Sequence, residues 1–152
     1  MKRFLLLASL MTTAVIAADT AASLEIDRKQ MQAQTIEIVG TGMNLDPAVA
    51  DTFWAVFKEY EAERIKIGDR RVELLQQFAA QVDSMTDDQA SSMAMRSFAL
   101  EREALELKEK YFKILEKEIS SRVAARFVQV MNQIDSVVNA SLSREMPLIG
   151  GF

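Results

Sequence analysis

Apolar residues recur at three- and four-residue intervals over long stretches of the chain, the spacing of helices that bury one face. The line Phe53, Phe57, Tyr60, Ile67, Leu74 and Phe78 predicts one helix over 47–82. Asp46 can cap its start, and Pro47 suits the first turn. Such a helix is about 54 Å long at about 1.5 Å per residue. A flanking line carries Trp54, Ile65, Val72, Leu75 and Val82. Gly68 lies between them and is expected to mark a close helix contact.

Three more helices follow from the pattern. A weakly periodic stretch with Leu24, Met31 and Ile38 as inward residues predicts a helix over 20–39, broken by Gly40 and Gly42. Thr86 with Gln89 three residues later forms a capping box for a helix over 87–117. Its line Met93, Ser97, Leu100, Ala104, Leu107, Tyr111, Ile114 alternates steps of four and three, a heptad seam. Glu106 to Lys110 and Glu109 to Lys113 are spaced as pairs on its exposed side. Ser120 or Ser121 opens a helix over 121–142 with Val123, Phe127, Val130, Ile134 and Val137 inward. The tail 143–152 holds Met146, Leu148, Ile149 and Phe152, apolar enough to be expected to dock on a helix groove.

The chain opens on a different kind of pattern. Lys2 and Arg3 precede a mostly apolar run to Ala18, which ends in small residues. This is the form of a secretory signal peptide over 1–17, with cleavage after Ala17. The run is shorter than the roughly 20 residues of a membrane helix, so stable membrane insertion is not expected. A single helical domain over 18–152, exported to the periplasm, is the organisation expected.

Composition narrows the chemistry. The 152 residues include no Cys and no His. Cysteine nucleophiles, thiolate metal sites and Ser-His-Asp catalysis are thereby excluded, and no cofactor is expected. A formal charge of −4 argues against nucleic acid as a partner. The many Glu residues stand on polar helix faces near Lys or Arg, which gives no reason for the shifted acidity an enzyme would need. No enzyme is expected.

The helix starts share a local arrangement. Leu45-Asp46, Met85-Thr86 and Ile119-Ser120 each pair an apolar residue with a capping one, 40 and 34 residues apart. An Ala follows five places after each apolar residue, and Phe53, Met93 and Phe127 eight places after. Either an internal duplication or the common need of helices for capped starts accounts for this.

Met85-Thr86-Asp87-Asp88-Gln89 resembles the LTxxQ motif of the periplasmic Spy and CpxP group, with Met in place of Leu. The other two starts lack the Gln. The resemblance implies a small all-helical protein that forms an antiparallel dimer. It also implies an ATP-independent chaperone, or a stress regulator of an inner-membrane sensor kinase. Relatives that bind metal do so through His or Cys, so metal binding is not implied here.

Two binding features stand out. Phe53, Trp54, Phe57 and Tyr60 span more of the helix surface than one neighbour covers; they form either core or an exposed apolar patch. Arg64 and Arg71 lie in line with them, which suggests a mixed cationic and apolar surface for unfolded segments. The expected architecture is therefore all-α, with four helices, two of them long, in an antiparallel hairpin or bundle. Surplus apolar surface favours a homodimer over a closed monomeric four-helix bundle. The expected function is reversible capture of unfolded polypeptides; the alternative is a module that binds one envelope protein.

Overall fold

A computed structural model describes residues 32–150. The expected signal peptide, the start of the first helix with Leu24 and Met31, and Phe152 lie outside the described residues. The fold is all-α, and among the described residues there is no strand. Helix α1 occupies 32–43, α2 Pro47–Gln81, α3 Asp87–Glu118 and α4 Ser121–Glu145; a 3-10 turn, Val82–Ser84, follows α2. No helix is long and apolar enough to cross a membrane among the described residues.

The chain divides between Thr41 and Gly42 into two compact units. In the first, Thr35 and Val39 are buried while Ile36 and Ile38 are exposed. Ile38 is therefore not an inward residue: the buried line, spaced by four, passes one position away from it.

Gly40 and Gly42 do not end α1. The helix continues to residue 43 and stops at Asn44, whose φ of 43° is the left-handed conformation that terminates helices and that Asn tolerates. Gly42 serves a close approach within the helix: a Cβ there would stand 2.9 Å from Val130 Cγ2 on α4. Arg126 Nε donates to the Gly42 carbonyl at 2.8 Å, a cation on a helix-end oxygen.

The three remaining helix starts carry side-chain caps. Asp46 Oδ1 accepts from the Ala48 N–H at 2.8 Å, and Ser120 Oγ from that of Val123 at 3.3 Å. At α3 the Gln89 N–H donates to Thr86 Oγ1 at 3.3 Å, and Gln89 Oε1 accepts from the Thr86 N–H at 2.9 Å. These bonds satisfy N–H groups that a helix start leaves open. Met85, just before the box, is half-buried.

Polar contacts fix how α2 meets α3. Glu63 meets Lys110, Arg70 meets Glu103, and Gln77 meets Arg96, so each seven-residue step along α2 matches a seven-residue step back along α3. Helix α4 packs on α3, with Lys108 Nζ donating to Asn132 at 2.8 Å and to Asp135 at 2.7 Å. The core lies where all three converge: Phe53, Phe57 and Tyr60 from α2, Leu107, Tyr111 and Leu115 from α3, Ala124, Phe127, Val130, Met131 and Ile134 from α4.

The heptad seam of α3 holds through Tyr111 and then shifts. Leu115 is buried at 1% exposure in place of the expected Ile114, because the buried face turns toward α4 near the end of α3. No residue of α3 before Leu107 is fully buried; Met93, Ser97, Leu100 and Ala104 are half-buried. Gly68 has no heavy atom within 4 Å of a Cβ position, so it marks open space and not a close contact. Helix α4 runs three residues past the expected 142; after it, Leu148 is 91% exposed while Met146 is half-buried. Val137, expected inward, is 68% exposed, and Val138 and Leu142 are half-buried in its stead.

Candidate functional site

The aromatic cluster of α2 is core. Phe53, Phe57 and Tyr60 are at most 3% exposed, and only Trp54 is half-buried. Phe127 of α4 stands 6.5 Å from Phe53 and 5.0 Å from Tyr60, both edge-on. Tyr111 of α3 meets Tyr60 at 5.4 Å. One ring from each of three helices thus surrounds Tyr60, a geometry in which aromatic edges meet faces. Of the residues expected to bind clients, these three do not reach the surface. The α4 ring that covers them belongs to a helix about 70 residues away in sequence, beyond what α2's own periodicity reveals.

Arg64 is also committed internally. Its Nε and Nη2 donate to the two Glu61 carboxylate oxygens at 2.7 and 2.8 Å, the bidentate geometry specific to Arg. Burial works against the Arg64 charge, but the bond to Glu61 together with the negative charge around it, from Glu61, Tyr60 and Asp135, outweighs burial and holds the guanidinium above its ordinary pKa. Burial, helped by the Asp135 charge, pushes the Tyr60 phenol well above its usual range. Arg71 is half-buried on the same helix. Phe53, Trp54, Phe57, Tyr60, Arg64 and Arg71 therefore do not form one exposed surface.

An open trough of about 730 Å3 runs between α2 and α3. Its floor is Ile67 and Leu107, and three acidic and three basic side chains rim it. Most of that charge is already paired. Lys110 Nζ donates to Glu63 at 2.8 Å, the Tyr111 hydroxyl donates to the same carboxylate at 2.7 Å, and Arg70 bonds Glu103. The bonds from Lys110 and Tyr111 hold the Glu63 carboxyl below its ordinary pKa, and the bond to Glu103 raises that of Arg70. The expected pair of Lys110 with Glu106 is replaced by this cross-helix contact, whereas Lys113 does bond Glu109 at 2.7 Å. Four of the six rim charges are thus taken up in two cross-helix ion pairs. Among the described residues no group of three acidic side chains is placed to hold a metal ion.

The apolar surface that remains lies elsewhere. On α3, Met95, Phe98 and Leu105 are 62%, 54% and 64% exposed. With Ser91, Arg102, Glu109 and Phe112 they occupy steps of four and three along the helix. At 100° per residue this second heptad line points well away from the seam that faces α2 and α4. Single exposed apolar residues are ordinary, but three aligned on one face of one helix form a patch. The sequence holds the signal for this line in the same spacing rule that reveals the first seam, though its apolar residues are fewer.

Comparison of the chain with protein-family models, with curated proteins and with solved structures gives no match.

Proposed function

We propose that this protein is a non-enzymatic polypeptide-binding protein of the periplasm, similar in kind to the Spy and CpxP group, which holds partly unfolded chains without nucleotide. One observation carries the reading: the exposed line Met95, Phe98 and Leu105 on the outer face of α3. An apolar stripe facing away from its own core adds little to the stability of this chain, and its exposure to water costs free energy until something covers it. Met and Phe suit a surface that accepts varied partners, since thioether chains adapt their shape and rings supply large contact area. The stepwise reversed contacts of α2 and α3 support an antiparallel hairpin as the scaffold that presents the stripe.

The test is light scattering of an aggregating client with and without the purified protein. Suppression near equimolar ratio, lost on replacing Met95, Phe98 and Leu105 by Ser, is the expected result. No suppression by the unaltered protein overturns the reading.

A homodimer is a second reading of the same stripe. Its steps of four and three are those of a coiled-coil seam, which a second copy could also cover. Sedimentation at micromolar concentration separates the two: a monomer that suppresses aggregation favours client capture, and a stable dimer that the Ser substitutions dissociate favours self-association.

A further inference from the structure

Six basic residues stand on α3, and five of them have partners. Arg96 bonds Gln77, Lys108 bonds Asn132 and Asp135, Lys110 bonds Glu63, Lys113 bonds Glu109, and Lys117 pairs with Glu118. Arg102 is the exception: it is exposed and has no hydrogen bond or ion pair among the described residues. Glu106 stands one turn away at the spacing of a helical pair, and still no bond forms. Arg102 is also the residue between Phe98 and Leu105 in the outer line, four positions after one and three before the other. A cation thus sits in the middle of an apolar stripe, at a position that a docked helix would cover.

We infer that the outer face of α3 takes an amphipathic helix carrying a carboxylate at one of its core positions, set against Arg102. Three arguments converge. The heptad spacing of the stripe matches the side-chain spacing of a second helix laid along it, not that of an extended strand. Covering Arg102 with apolar groups alone would strip its guanidinium of water without compensation, so a partner lacking an acid there is penalised. A guanidinium set between Phe98 and Leu105 also fixes register, as polar core positions do in coiled coils; Glu109, the other charged residue of the line, is already paired with Lys113. Glu101 and Glu106 flank the stripe on its two sides, so the fitting helix is acidic at one core position and basic along its edges. The inference rests on the reading of this stripe as a binding surface and narrows the class of partner.

The probe is a fluorescent 21-residue synthetic peptide with Leu at its core positions, Lys at its edges and Glu at one central core position. Companions carry Lys at that core position or the same residues in scrambled order. Anisotropy with the full chain should show the Glu peptide binding at least tenfold more tightly than the Lys peptide, with a gain of helical circular dichroism. Arg102→Glu should reverse that order; it is an exposed substitution, and the protein's own thermal transition reports that the fold is kept. Equal binding of the Glu and Lys peptides, an order that Arg102→Glu leaves unchanged, or equal binding of the scrambled peptide overturns the inference. So does a dimer, dissociated by Arg102→Glu, that binds no peptide, since the second copy then holds the stripe. Aggregation suppression by the unaltered protein without peptide selectivity would sink only this inference. Loss of both would sink the polypeptide-binding reading itself.

Discussion

The Tyr111 hydroxyl donates to Glu63 Oε1 at 2.7 Å, so a ring buried in the core of α3 reaches a half-buried carboxylate on α2. The same carboxylate accepts from Lys110, whose ammonium lies 4.9 Å from the centre of the Tyr111 ring. Ring and carboxylate act at different levels. The ring fills the junction of three helices, whereas the hydroxyl ties that junction to the edge of the trough. Tyr111→Phe should keep the first role and lose only the second, with a small fall in stability. Tyr111→Ala empties the space of a large ring and should cost about 3–5 kcal/mol. Urea denaturation of both variants checks this; equal losses would show that the hydroxyl, not the packing, holds the junction.

The acid limb of stability follows from Glu63. Its carboxyl is held below the ordinary value of 4.5 by Lys110 and Tyr111, so the folded state binds a proton there less readily than the unfolded state. The stabilisation it supplies is complete above the unfolded pKa and is lost as pH falls through the depressed folded one. Glu63→Gln should therefore flatten the fall in stability below about pH 4.5 and leave the dependence near neutrality unchanged. Denaturation midpoints taken between pH 7 and pH 2 test this, and an unchanged acid limb refutes it. Glu109, lowered by Lys113, adds to the same limb and supplies the control substitution.

The alkaline limb has the opposite sign. Burial raises the Tyr60 and Tyr111 phenols above their ordinary value of 10.0, so their neutral forms favour the folded state. That contribution is fully present below pH 10 and disappears as pH climbs through the raised folded values. Stability should drop steeply above pH 10, with Tyr60→Phe moving the onset to higher pH. A spectrophotometric phenol titration that shows both tyrosines ionising normally in the folded protein contradicts this.

Two glycines on helices make opposite predictions. Gly68 faces open space in α2, so Gly68→Ala should stabilise by about 0.5–1 kcal/mol, because Ala restricts the unfolded chain and favours helix. Gly42 has Val130 at 2.9 Å from its Cβ position, so Gly42→Ala should destabilise by about 1–3 kcal/mol through overpacking. Thermal unfolding of the two single variants suffices, and a shared sign would show that helix propensity, not the neighbouring side chain, decides.

What the sequence conveys about this fold follows the range of the physics involved. Caps act within three residues, and Asp46, Thr86 with Gln89, and Ser120 were readable as helix starts for that reason. The seam from Met93 to Tyr111 was readable because one neighbour covers it along a constant line. Its passage from Ile114 to Leu115 was not, since it depends on where α4 returns. The end of α1 eluded the pattern similarly: Gly42 reads as a breaker until Val130 is seen beside it. The aromatic cluster could be core or surface from α2 alone, and only Phe127 and Tyr111 from other helices make it core. The outer line of α3 was legible in principle, for it needs no distant residue.

The contrast between those two apolar groups gives the sharpest mutational test. Phe53 is fully buried against Phe127, so Phe53→Ala should cost about 3–5 kcal/mol and lower every activity in proportion to the unfolded fraction. Phe98 is 54% exposed on the outer face of α3, where substitutions usually change stability by less than about 0.5 kcal/mol. Phe98→Ser should therefore leave the thermal transition in place while weakening client binding. If a protein with an unaltered transition keeps full aggregation suppression after Phe98→Ser, Met95→Ser and Leu105→Ser together, the binding face is not on α3. If Phe98→Ser instead unfolds the chain, the ring is part of the packing and the stripe is not free for a partner.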